Sequence, residues 1–328
     1  MSAFFEKLDL WLKIARGYTL SQSVVPYCFA IFLAYCSVKQ INVLYSILGL
    51  LAVLFVQAAT NMLDDYFDWK SGSVDNYKKQ VEEKNVARTH KCFYLEQNLI
   101  SLNTLLFVIC ALFVIAFLFG VIIFVNLGWY LLWFALISGV LAISYSEPHI
   151  NLSSRGLGEI SIGIIFGPLL MIAAYLVAGG IISDLIFYIS AIMGLLIMNI
   201  AHTHAIMDFD ADKGIDRLTL STIVKTKENA ILIQFGVYVL AYLIVLIAVF
   251  YGVFDKTCLI VFLSFPYVLE LKKLMKDKTA VKKWWYGQIG NWEKYREEGS
   301  DWFMLRLCLS RNLLMVFIIL FSISLLFS

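Results

Sequence analysis

Charge is scarce in this chain of 328 residues, of which only 15% are Asp, Glu, Lys or Arg, against about a quarter in an ordinary soluble domain. Together with a hydrophobic content of 61%, that shortage excludes a soluble globule and a disordered chain. The six cysteines, Cys28, Cys36, Cys92, Cys110, Cys258 and Cys308, lack any Cys-x-x-Cys spacing and fall mostly in apolar stretches. They read as free thiols packed like small apolar residues. There is no Walker glycine loop, no His-Glu-x-x-His zinc motif and no Gly-x-Ser-x-Gly nucleophile elbow. A net charge of only +2 gives no reason to expect a nucleic-acid partner.

What the chain does contain is apolar runs, most long enough to cross a hydrocarbon core of about 30 Å as a helix. Spans are expected at 18–37, 41–63, 99–124, 127–145, 157–179, 182–204, 229–253, 257–270 and 304–327, nine in all and the eighth short. Residues 1–16 carry acids and lack the basic-then-apolar order of a cleavable signal, so they read as an amphipathic surface segment before a retained first span. With the N-terminus cytoplasmic and the C-terminus outside, every Lys and Arg except Lys39 and Lys256 falls on the cytoplasmic side. That is the positive-inside bias of a multi-pass protein in the lipid bilayer. The outside connections are very short, which leaves the chemistry to the cytoplasmic face. The expectation is one all-α domain over 1–328, with nine transmembrane helices around a central cavity and an extended cytoplasmic loop at 271–303. That loop holds Trp284, Trp285, Tyr286, Trp292 and Trp302 among Lys and Glu. Its Trp-rich stretch 284–302 reads as an interfacial amphipathic helix rather than a substrate lid.

Two acidic clusters leave apolar helices. The first is Asn61-Met-Leu-Asp64-Asp65-Tyr66-Phe67-Asp68; a continuing helix sets Asp64 and Asp68, and Asn61 and Asp65, one turn apart. The second runs from His204 through Asp208, Asp210 and Asp212 to Asp216, with acids at i, i+4 and i+8. Like charges so spaced weaken a helix, and carboxylates near a membrane are costly. Solvated helix ends would explain one such cluster more readily than two of matched spacing in a chain whose cytoplasmic loops are otherwise basic. Oxygen-only donors suit Mg²⁺, which takes one or two carboxylates, keeps waters and completes its shell with phosphate oxygens. A calcium EF-hand is excluded, because neither cluster has the twelve-residue loop ending in Glu.

At these residues the chain resembles the UbiA superfamily of intramembrane prenyltransferases, and within it the 1,4-dihydroxy-2-naphthoate polyprenyltransferases of menaquinone synthesis. Asn61 to Asp75 is similar to that branch's first acidic motif, although Asp64 stands where Asn is usual and one extra residue separates Gly72 from Asp75. Tyr145-Ser146-x-Pro148, Arg155-Gly-Leu-Gly158-Glu159-Ile and Phe166-Gly167-Pro168-Leu resemble its loop and fifth helix. Asp208-x-Asp210-x-Asp212-x-x-Gly-x-x-Arg217-x-Thr219-Leu resembles its second motif, and Arg16-Gly-Tyr-Thr-Leu gives a weaker match. The Gly-Pro-Arg stretch common in that branch is missing after the first motif, where Lys84, Arg88, His90 and Lys91 stand.

The resemblance implies transfer of a prenyl group from a polyprenyl diphosphate to an aromatic acceptor in a bacterial-type plasma membrane, with Mg²⁺ held by Asp65, Asp68, Asp208 and Asp212. Asn61, as a neutral ligand or hydrogen-bond donor, and Asp64 would help bind the substrate, and Arg16, Arg155, Arg88 and Lys213 would hold diphosphate oxygens. Tyr145 would face the allylic cation through its ring. His204, four residues before Asp208, would orient it or handle a proton, or else bond a neighbouring helix. The same scaffold also suits a non-aromatic lipid acceptor or a terpene cyclase. A cation-coupled transporter is a different class, and it would place its acids nearer mid-membrane.

Overall fold

The computed structural model describes residues 2–72, 74 and 92–327. Within them the chain is helical, with no β-strand and an isolated bridge between Arg155 and Leu218. Helix α1 is Ser2–Ile14, α2 Ser21–Val38, α3 Val43–Ser71, α4 Phe93–Glu96, α5 Leu102–Leu127 and α6 Leu131–Ser146. Helix α7 is Gly158–Val177, with a π-helical turn at Ile165–Leu169. Then come α8 Asp184–Met207, α9 Phe209–Gly214, α10 Leu220–Ile223, α11 Lys227–Phe250, α12 Phe265–Leu274, α13 Trp292–Glu297 and α14 Asp301–Leu326.

Among the described residues seven helices are long and apolar enough to cross a membrane: Gly17–Val38, α3, α5, α7, α8, α11 and α14. The protein is an integral, multi-pass membrane protein. The fourth expected span is a shorter apolar helix, α6, of 16 residues, about 24 Å at 1.5 Å per residue. It stops because Pro148 forces Glu147 into an extended conformation (ψ 126°). The eighth is composite. Lys256–Ser264 winds as a nine-residue 3₁₀ helix before Pro266 opens the α-helix α12, a position where the missing proline N–H costs nothing. The expected amphipathic helix over 284–302 is corrected: a 3₁₀ turn at Trp284–Tyr286 is followed by the six-residue α13. Gly287 and Gly290, both with positive φ, break any longer helix.

The helices fall into two compact units. One holds α1 to α6 and the last turns of α7, Leu170–Val177. Its longest member, α3, has 29 residues and so extends about 44 Å, longer than a hydrocarbon core is thick. The surplus turns carry Asn61 to Asp68. Helix α3 lies along α5, and Ile14 and Ala15 at the end of α1 join Met62, Tyr94, Leu95 and Ile109 in a buried cluster.

The other unit holds the start of α7 and everything from α8 onward. There α7 and α8 approach closely through glycine: a Cβ placed on Gly163 would lie 2.8 Å from the Gly194 carbonyl oxygen. Small residues allow such contact between membrane helices. Helix α8 is tied to α11 by polar bonds, with Asn199 donating to the Gln234 carbonyl (3.0 Å) and Gln234 to Thr203 Oγ1 (2.6 Å).

Candidate active site

The first acidic cluster is assembled by α3, the α1–α2 connection, α4 and the end of α6. Because α3 continues through Ser71, Asp64 and Asp68 do stand one turn apart. Arg16 has a left-handed backbone (φ 53°), a conformation that costs a non-glycine residue of the order of 1 kcal/mol. Its guanidinium repays this with charged partners: Nη2 donates to Asp64 Oδ2 at 2.8 Å and also to Asp65 Oδ1. Burial disfavours the Arg16 charge, but Asp64 and Asp65 outweigh it and hold its pKa well above the ordinary arginine value.

Asp65 is 4% exposed. Its second oxygen accepts from the hydroxyl of Tyr94 at 2.8 Å, and Tyr94 is itself 1% exposed. Burial, then the Asp65 charge and the hydrogen bond to it, push the Tyr94 hydroxyl pKa far up, so it remains a donor. Asp64 Oδ1 accepts from Ser146 Oγ at 2.6 Å, which places the residue after Tyr145 beside the cluster. Asn61 directs its amide nitrogen to the Ala15 carbonyl (2.9 Å) and to Thr19 Oγ1 (3.0 Å). Asp68 and Tyr145 are half-buried. Arg88 lies outside the described residues, as do Lys84, His90 and Lys91. Tyr94 was not singled out from the sequence; a tyrosine 29 residues beyond its partner leaves no local pattern.

The second cluster departs from the expected spacing. Helix α8 ends at Met207, and Asp208 (φ −90°, ψ 9°) joins it to α9. Asp208 and Asp212 remain one turn apart, with the Asp212 N–H bonded to the Asp208 carbonyl at 2.9 Å. Asp216 falls beyond α9 in a left-handed conformation (φ 52°), so the i, i+4, i+8 array on one helix is corrected to a pair. Breaking the helix relieves the repulsion that three stacked carboxylates would impose. His204 Nδ1 is 3.2 Å from Asp208 Oδ2, and its ring packs edge-to-face on Phe303. Asp212 is buried, with Arg217 Nη1 3.7 Å from its Oδ1. Lys213 is exposed, and Arg217 is the cation set beside Asp212.

A latch secures the loop after this cluster. Gly156 N–H donates to the Leu218 carbonyl (2.7 Å), and Leu218 N–H donates to the Ser154 carbonyl (3.3 Å). Arg155, between the two bonded residues, stands opposite Leu218 in this bridge and is exposed. Gly156 has φ 77°, and any Cβ on it would drive into Ile223. Buried Glu159 accepts the Leu220 N–H on both oxygens, at 3.2 and 3.3 Å. Thr219 and Thr222 close a capping box over α10, and Ser221 Oγ bonds the Ala205 carbonyl of α8 at 2.9 Å. The Arg155–Glu159 and Arg217–Leu220 stretches, noted separately in the sequence, are thus one interlocked element.

Both clusters present hard oxygen donors. Among the described residues no three His, Cys, Asp or Glu side chains gather as a ready metal cage. The oxygen donors of the two clusters are of the type Mg²⁺ takes, alongside phosphate oxygens.

Residues 23–289 match the model of the UbiA prenyltransferase family. The chain belongs to this family. It is a UbiA-type prenyltransferase. It is 26% identical to the 1,4-dihydroxy-2-naphthoate octaprenyltransferase of Bacillus subtilis (strain 168) over 264 residues, covering 80% of this chain and 81% of that one. It is likewise 26% identical to the UbiA prenyltransferase domain-containing protein 1 of Dictyostelium discoideum, over 70% of this chain and 67% of that one. Among solved structures, a UbiA homologue from Archaeoglobus fulgidus bound to DMAPP and Mg²⁺ matches with a TM-score of 0.63 at 13% identity, over 95% of this chain and 99% of that one. At that identity the likeness is one of fold.

Proposed function

We propose that this UbiA-family enzyme transfers a polyprenyl group from a polyprenyl diphosphate to an aromatic acceptor such as 1,4-dihydroxy-2-naphthoate, releasing diphosphate. The observation that carries the reading is the first acidic cluster. Three aspartates ride on the surplus turns of α3, with Asp64 and Asp65 fixed by Arg16, Tyr94 and Ser146. The likeness to the Bacillus octaprenyltransferase supports the acceptor class, and the magnesium-bound homologue supports the cofactor.

In this reading the carboxylates of each cluster serve to bind diphosphate through Mg²⁺. Mg²⁺, when bound by Asp65, Asp68, Asp208 and Asp212, supplies charge neutralisation for the leaving group. Asn61 and Asp64 hold the cluster's shape. Arg16, Arg155, Arg88 and Lys213 bind non-bridging oxygens, with Arg217 beside Asp212 as a further cation. His204 orients Asp208. As the allylic C1–O bond breaks, its electron pair leaves with the diphosphate. Tyr145 offers its ring face to the allylic cation. A π pair of the electron-rich acceptor ring then forms the new C–C bond, and loss of a proton or of carbon dioxide restores aromaticity.

Nine spans in a single domain over 1–328, a cytoplasmic N-terminus and a site facing the cytoplasm of a bacterial-type plasma membrane complete the proposal. The distribution of Lys and Arg supports that orientation. The test is product analysis with labelled polyprenyl diphosphate, with and without dihydroxynaphthoate, and with EDTA. A prenylated naphthoquinol formed only with Mg²⁺ is expected; a prenylated glycerol phosphate or a cyclised hydrocarbon instead would overturn the acceptor.

A further inference from the structure

The turn between α12 and α14 is a rigid platform with an unusual outer surface. Its inner side is heavily bonded. Arg306, 1% exposed, donates to the carbonyl oxygens of Leu274 (2.6 Å), Thr279 (3.1 Å), Trp302 (2.5 Å) and Asp277. Asn312 holds the carbonyls of Tyr286 (2.7 Å) and Gln288 (3.0 Å), and Tyr267 holds that of Trp285 (2.7 Å). Glu270 accepts from both the Tyr286 hydroxyl (2.7 Å) and Lys283 Nζ (2.6 Å). Beneath these bonds Tyr286 and Ile289 are fully buried.

On this fixed base Trp284 is 94% exposed and Val281 67% exposed. A loop floating in water would gain by folding the indole inward, yet this one is braced by more than eight hydrogen bonds with Trp284 projecting. Around it the charge is one-sided. Lys272, Lys273, Lys276, Lys278, Lys282 and Lys283 face a single acid, Asp277, between 271 and 285. The Asp277 carboxylate accepts from the Thr279 N–H (2.8 Å) and hydroxyl (2.6 Å), and Lys283 is held on Glu270. Lys276, Lys278 and Lys282 are exposed, with the Lys278 ammonium 4.8 Å over the ring of Trp302. Beyond Tyr286 the balance reverses, with Glu293, Glu297, Glu298 and Asp301 against Lys294 and Arg296.

We propose that the 276–284 face of this turn docks on anionic phospholipid headgroups of the bilayer. Two observations select that partner. Arg306, near the start of α14, holds the carbonyls of Leu274, Asp277 and Thr279, and α14 is long and apolar enough to cross a membrane, so the face sits where that helix enters the bilayer. It also pairs an exposed indole with lysines, the combination that suits the headgroup region of an acidic leaflet. Trp284 and Val281 reach the acyl boundary, and Lys276, Lys278 and Lys282 meet lipid phosphates. The acidic stretch around α13 is repelled from the same surface, which fixes the orientation of the platform.

The experiment uses the full chain in nanodiscs of phosphatidylcholine, alone or mixed with phosphatidylglycerol. Bound phosphatidylglycerol is counted by native mass spectrometry for the wild type and for a triple variant, Lys276→Gln, Lys278→Gln and Lys282→Gln. The triple variant is expected to lose phosphatidylglycerol affinity on the order of tenfold. The fluorescence difference between wild type and Trp284→Phe is expected to be quenched by brominated acyl chains. Equal phosphatidylglycerol retention in both proteins, or a Trp284 signal untouched by brominated lipid, would overturn the proposal. Unchanged thermal unfolding of the variants in phosphatidylcholine shows that they are folded and makes either result decisive.

Discussion

Arg16 and Asp64, 48 residues apart in the chain, meet at 2.8 Å through Nη2 and Oδ2, and the same nitrogen reaches Asp65. One arginine thus neutralises two neighbouring carboxylates that would otherwise repel each other. In the proposed site a divalent ion arriving at Asp65 would meet a carboxylate already paired and already oriented.

Arg16→Gln removes that neutralisation. The variant is expected to lose on the order of 2 kcal/mol of stability in EDTA, less than a fully buried pair would cost because Arg16 is partly exposed. Mg²⁺ should restore more of the loss than it adds to the wild type, since it becomes the remaining counter-charge. Thermal unfolding with and without Mg²⁺ measures this; equal Mg²⁺ shifts in the two proteins would refute it.

Tyr94→Phe keeps the buried ring and deletes the donor to Asp65. A hydrogen bond to a charged acceptor contributes about 1.5–3 kcal/mol, so turnover at limiting Mg²⁺ should fall about tenfold or more. The Mg²⁺ concentration for half-maximal rate should rise while the fold persists. Titration of initial rate against Mg²⁺ checks both. A lowered melting temperature with an unshifted Mg²⁺ curve would instead assign Tyr94 to packing alone.

Asp65→Ala and Asp212→Ala are each expected to abolish Mg²⁺-dependent transfer while leaving the protein monodisperse in detergent. Product formation from labelled polyprenyl diphosphate is the readout, and full activity in either variant would remove the assigned roles.

The latch after the second cluster gives a separate expectation. Gly156→Ala places a side chain at positive φ against Ile223, so expression or thermal stability should fall sharply. Adding Ile223→Ala should recover part of the loss, because only the clash and not the backbone strain is relieved. Glu159→Ala leaves the Leu220 N–H without its acceptor and should lower activity even where the protein folds. Melting curves for the two single variants and the double variant separate these effects.

The helical architecture was legible because runs apolar on every face can satisfy their backbone in lipid only as helices. The acidic end of α3 was legible too, since nothing between Val43 and Ser71 interrupts a helix. The break at Asp208 was not: the spacing of Asp208, Asp212 and Asp216 fits one continuous helix, whereas the chain breaks at Asp208 and leaves Asp216 beyond α9 in a left-handed conformation. Tyr94, Ser146 and Glu159 were missed as site residues for a common reason. Each acts on a residue or backbone amide dozens of positions away, and such pairings have no period. The apolar run at 257–270 predicts a helix, but apolar composition does not distinguish the 3₁₀ winding of Lys256–Ser264 from an α-helix.

Helix α3 is a single rod, 29 residues from Val43 to Ser71, with the carboxylates proposed to hold Mg²⁺ at one end and its shaft in hydrocarbon. A tilt of about 5° swings the end of a rod about 44 Å long by nearly 4 Å. Bilayers of different thickness tilt such rods to different degrees. Acyl-chain length in the host membrane therefore becomes a setting for carboxylate position, and transfer rates should peak at one matched thickness and decline on either side.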